Sequence, residues 1–140
     1  MPDQHPNSEI PAHHSPFEHP LTHFSDRFNY GGPVKIVAIG SSSTAGEGGI
    51  APYPCHLERA LRDPWSWPKG ADKFKDRMID VINRGKIGDE APGEYERLQR
   101  DVIDEDPSLV IWQVGTNAVW KSFDLDTVAA KLDTRPSTFV

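Results

Sequence analysis

With 140 residues, a formal net charge of −6, 36% hydrophobic and 26% charged residues, the chain has room for one domain at most. The acidic balance argues against nucleic acid as a main partner, because phosphate binding needs a basic surface. No apolar run approaches the roughly 18 residues of a membrane span, no secretory signal opens the chain, and its single cysteine, Cys55, leaves the redox compartment open; as written, the chain is expected in the cytoplasm.

Residues 1–32 read as a disordered tail, rich in proline and holding five of the six histidines (His5, His13, His14, His19 and His23). Its apolar residues are sparse and show no period, so it buries too little surface to offset its ordering entropy. His19 and His23 stand at i and i+4, but Pro20 between them argues against the helix a metal pair would need. No cofactor or metal is expected.

From residue 33 the texture becomes that of a folded domain, 33–140. Val34 to Ile39 is a short apolar run closed by Gly40, as in a strand buried on both faces. A turn rich in Gly, Ser and Thr follows, from Gly40 to Gly49. Tyr53 to Leu61 reads as an amphipathic helix, with Leu57, Ala60 and Leu61 on one side and Glu58, Arg59 and Arg62 on the other. Residues 64–76 are loop-like, broken by Pro64, Pro68 and Gly70.

Met78 to Ile82 is a second strand, with a turn from Asn83 to Asp89. Glu94 to Ile103 is a second amphipathic helix. Ser108 to Val114 is a third strand, closed by Gly115, and a third helix is expected from about Asp124, with Leu125, Val128, Ala129 and Leu132 apolar. Strand and helix in alternation imply right-handed crossovers, a parallel sheet and an α/β fold. Ligands of such sheets sit outside the carboxyl ends of the strands, where three polar turns lie.

Each turn has an ordinary explanation. In Gly40-Ser41-Ser42-Ser43-Thr44-Ala45-Gly46 the hydroxyls can be helix caps, and the turn lacks the lysine of a phosphate loop and the spacing of a dinucleotide fingerprint. Gly88, in the second turn, can offer a backbone N–H where a side chain would block approach, but glycine more commonly answers a need for positive φ. Asn117, after the third strand, can be a turn asparagine. Together a serine, a glycine N–H and an asparagine amide make a nucleophile with an oxyanion hole.

The runs IVAIGSSSTAG, VINRGKIGDE and VIWQVGTNA resemble, in order and placement after strands, the first three blocks of SGNH/GDSL-type serine hydrolases, over roughly residues 33–132. The resemblance implies a three-layer α/β/α, flavodoxin-like sheet, truncated here after about three strands. It implies Ser42 as nucleophile, with Gly88, Asn117 and the N–H of Ser42 as oxyanion donors. It also implies hydrolysis of a small carboxylic ester, acetyl or short acyl.

Two departures stand out. The family's Asp before the nucleophile is Ser41 here, so the choice of Ser42 within Ser41-Ser42-Ser43 rests on register from Gly40 and Gly46. The family's Asp-x-x-His is missing, since no histidine follows Asn117. His56 is the only histidine of the folded part and has no evident orienting carboxylate. The expectation is therefore an impaired esterase, its frame shifted or ended early, with Leu109 to Val114 left as an apolar edge open to self-association. A non-catalytic acyl- or carbohydrate-binding module is the alternative, and a nucleotide-binding domain a more distant one.

Overall fold

The computed structural model describes residues 21–63, 65, 77–115, 117, 118, 126 and 130. The helix expected from Asp124 and the histidines before Leu21 lie outside the described residues, apart from two positions of that helix.

The elements run α1 (Thr22–Tyr30), β1 (Val34–Gly40), α2 (Ser42–Ala45), α3 (Tyr53–Arg62), β2 (Ile79–Gly85), α4 (Ala91–Glu96), α5 (Leu98–Asp101), a 3₁₀ turn (Ile103–Glu105) and β3 (Leu109–Trp112). The strands form one parallel sheet in the order β2-β1-β3. The register sets Gly40 beside Gly85 and Ile39 beside Trp112, so the turns after the strands start from one rim. Among the described residues no helix is long and apolar enough to cross a membrane.

Central β1 is buried along nearly its whole length, as its unbroken apolar run requires. Its alternate residues feed two cores. Val34 and Ile36 join Ile79 and Val81 on one face, under Phe24, Phe28, Leu57 and Leu61 from α1 and α3. Val37 and Ile39 join Leu98 and Val102 on the other, with Tyr95 and Trp112 packed alongside. Helices thus cover both faces, giving the α/β/α layering.

Several elements differ from the sequence reading. The third strand, expected over Ser108 to Val114, is Leu109–Trp112, and the serine turn holds the short helix α2. The segment read as a tail contains α1, whose Phe24 and Phe28 stack with ring centroids 5.7 Å apart and pack against the first core; ordered structure begins ahead of residue 33. An aromatic pair one helical turn apart needs only a sheet face to become a helix anchor. The second strand runs on to Gly85, because Asn83, Arg84 and Gly85 pair with Ala38, Ile39 and Gly40. The helix expected over 94–103 starts earlier, at Ala91, and breaks at Arg97 (φ −100°, ψ 2°).

Candidate active site

The three turns leave the sheet at the same rim, and hydrogen bonds lock them to one another. Thr44 of the first turn donates its hydroxyl to Gln113 Oε1 at 2.9 Å, just beyond β3. The Asn83 carboxamide donates to the Thr44 carbonyl at 2.8 Å and accepts the Gly85 N–H at 2.8 Å. Asn117, after β3, donates Nδ2 to the Asp89 carbonyl at 2.8 Å, one residue past Gly88.

Close packing needs small residues here. A Cβ on Gly85 would come within 2.2 Å of the Ala45 nitrogen and 2.6 Å of its Cα. Backbone of α2 therefore sits directly on the end of β2, and any larger residue would push the serine turn away.

Ser42 is the first residue of α2 and half-buried. The Thr44 and Ala45 N–H groups reach back to the Ser41 carbonyl, and Gly46 N–H to that of Ser42. As the first residue of a helix, Ser42 has a backbone N–H without an intrahelical acceptor. Ser41 is buried and Ser43 exposed, so the three consecutive serines occupy three different environments.

Gly88 is exposed and has φ +77°, with nothing within 4 Å of where a Cβ would stand. The left-handed backbone accounts for the glycine; no neighbouring atom would block a side chain there. Asn117 is half-buried. A carboxamide carries two N–H donors, so the bond to Asp89 fixes its direction and leaves the second N–H.

A small concavity of about 10 Å³, room for one water, opens between these turns; Ser41, Asp89, Glu94, Gln113, Gly115 and Asn117 contribute to its wall. Of the residues singled out from the sequence, Asn117 lines it; Ser42 and Gly88 stand outside its lining. It lies at the carboxyl ends of β1 and β3, where the chain switches from one face of the sheet to the other.

Glu94 and Arg97, which the sequence reading passed over, are buried at this rim. Glu94 accepts the Trp112 indole N–H at 2.7 Å. Burial pushes its carboxyl above the ordinary value, and Asp89 adds to that; the Trp112 bond and Arg97 oppose it. Asp101 is held down at about 2, chiefly by hydrogen bonding from Arg100 and further by Arg97. Spacing offered a signal for both overlooked residues: Glu94 stands four before inward-facing Leu98, and Arg97 four before Asp101.

His56 is exposed on α3 and His23 exposed on α1. Among the described residues no group of three or more His, Cys, Asp or Glu is arranged to hold a metal ion.

No protein-family model matches the chain, and no curated protein does. Solved structures do. A protein described as lipolytic and of the G-D-S-L family, from Desulfitobacterium hafniense DCB-2, is 28% identical with a TM-score of 0.57, covering 71% of this chain and 49% of its own. AlinE4, an esterase of the SGNH-hydrolase family, is 27% identical with a TM-score of 0.57, covering 73% of this chain and 50% of its own. A lipase/acylhydrolase from Enterococcus faecalis is 28% identical with a TM-score of 0.55, covering 72% and 49%. The chain thus spans about half the length of the structures it matches. In its parallel sheet, its flanking helices and its solved neighbours, the chain resembles the SGNH/GDSL-type hydrolases and shares their fold across that half.

Proposed function

We propose that this chain carries the nucleophile and oxyanion donors of a carboxylic-ester hydrolase. In this reading the Ser42 hydroxyl gives its proton to a base and attacks the acyl carbon of a small ester. The bond to the alcohol oxygen breaks, the alcohol leaves with a proton, and water then releases the acid from the acyl-serine. The developing oxyanion takes hydrogen bonds from the backbone N–H groups of Ser42 and Gly88 and from the free N–H of the Asn117 carboxamide. The observation that carries it is the Asn117–Asp89 bond of 2.8 Å, which ties the asparagine to the turn holding Gly88. The neighbours' own descriptions, esterase, lipolytic protein and lipase/acylhydrolase, supply the reaction class.

A serine hydroxyl is a poor nucleophile until a base takes its proton. Among these residues no histidine follows Asn117, and His56 stands exposed on α3. The 140 residues alone are therefore expected to turn over slowly, and the test supplies the base from solution. Hydrolysis of p-nitrophenyl acetate is followed with and without added imidazole, beside a Ser42→Ala control that subtracts imidazole's own reaction. A rate that imidazole raises only when Ser42 is present supports the reading. Asn117→Ala should then lower that rate about 10²-fold, the usual cost of one oxyanion donor. Rates equal to the Ser42→Ala control at every imidazole concentration would sink it; acyl or sugar binding that persists in that variant would then point to a binding module.

A further inference from the structure

Arg97 bonds to two of the three turns and, through a single further bond, is linked to the third. It lies where the helix after β2 breaks, and only 9% of it is exposed. Its guanidinium donates Nη2–H to the Gly40 carbonyl at 3.2 Å and Nη1–H to the Arg84 carbonyl at 2.7 Å. Nε–H goes to Asp89 Oδ2 at 2.7 Å, and Nη1 also donates to Asp101 Oδ2 at 2.9 Å.

Each acceptor has a place in the chain. Gly40 ends β1 and leads into Ser41 and Ser42. Arg84 is the penultimate residue of β2. Asp89 follows Gly88, and its carbonyl accepts Nδ2 of Asn117. One rigid planar fork thus bonds the end of the strand that leads into the serine turn, the end of the strand that leads toward Gly88, and the residue whose carbonyl holds Asn117. We propose that Arg97 is the positioning residue for Ser42, Gly88 and Asn117; their catalytic roles rest on the ester-hydrolase reading above.

The chemistry of the side chain favours positioning over simple anchoring. Strand-end carbonyls can be satisfied by any donor, water included. Guanidinium alone offers five N–H groups in fixed directions, and a lysine ammonium at the same place would be a point charge without a fork. The two carboxylates, Asp89 and Asp101, compensate the charge of the buried guanidinium.

The test has two arms that fail separately. In the first, nuclear magnetic resonance follows the Asn117 side-chain amide and the Gly88 N–H in Arg97→Lys, with the amides of Val37 and Ile39 in the apolar core as reference. Arg97→Lys should shift the Asn117 and Gly88 signals and speed their exchange, while the Val37 and Ile39 amides keep their protection. Asp101→Asn, which alters a partner of Arg97 outside the turns, should leave the Asn117 signal in place. Asp89→Asn repeats the experiment from the other side of the pair should Arg97→Lys not fold. Unmoved Asn117 and Gly88 signals in the folded variant, or signals that move only in step with Val37 and Ile39, overturn the proposal. In the second arm, imidazole-assisted hydrolysis should fall about 10²-fold in kcat with little change in KM, the cost of an ångström-scale misplacement. If the parent shows no Ser42-dependent hydrolysis, the ester-hydrolase reading fails, and the first arm still decides whether Arg97 positions the turns.

Discussion

The centre of the sheet and its carboxyl rim are built on opposite principles. Val34, Ile36, Val37, Ala38 and Ile39 are excluded from solvent almost completely, and what holds them is burial, which has no preferred direction. At the rim the same strands end in charged and amide groups held by bonds of 2.7 to 3.2 Å. Such bonds add little net stability each but specify orientation. The centre therefore secures the fold, and the rim ties the turns after the three strands to one another.

The sharpest way to separate the two is to cut into the centre. Ile39→Ala removes a fully buried side chain from the second core and should cost about 2–5 kcal/mol in urea unfolding. The folded fraction should keep the Asn117 amide signal of the parent; a changed signal would mean that centre and rim are not independent.

Gly85→Ala probes the seam between them. Its Cβ would meet backbone atoms of Ala45 and Thr44 at 2.2 to 2.6 Å, which cannot yield as a flexible side chain would. A loss of about 1–3 kcal/mol is expected, together with displacement of α2 and loss of the Asn83–Thr44 bond. A crystal structure of the variant with α2 unmoved would refute this close packing of α2 on β2.

The smallest effect is at Glu94. Its carboxyl is raised above the ordinary value, for which 4.5 is the reference. The folded state thus holds the proton more tightly than the unfolded chain does. Stability falls as pH rises from the ordinary value through the raised one, and the full penalty applies above that. Glu94→Gln keeps an acceptor for Trp112 and removes the charge, so it should match the parent near pH 4 and exceed it at pH 8. Asp101 works the other way: its contribution is present above 3.8 and is lost as pH falls toward about 2. Equal stability of parent and Glu94→Gln at pH 8 would show that burial does not penalise this carboxylate.

Legibility followed the same division. The run from Val34 to Gly40 reads as a buried strand because nearly every residue is apolar, and the structure agrees. Asn83-Arg84-Gly85 reads as a turn because its residues are polar, yet it is strand, held by backbone pairing that no side chain advertises. Phe24 and Phe28 lay in plain view but meant nothing until a sheet face was there to receive them. Ser42, Gly88 and Asn117 were legible as turn residues in register with a familiar pattern. The concavity beside them, with Asn117 in its wall and the other two outside, was not.

The sequence by itself determined the alternation of strand and helix, the positions of the three polar turns and their order, since these depend on periodicity and on residues close along the chain. Only the tertiary structure decided that Arg97, inside the stretch expected as the second amphipathic helix, is buried and bonded to Gly40, Arg84 and Asp89. Its acceptors lie up to 57 residues away, and a charge is brought inside by partners that folding assembles, which no local pattern records.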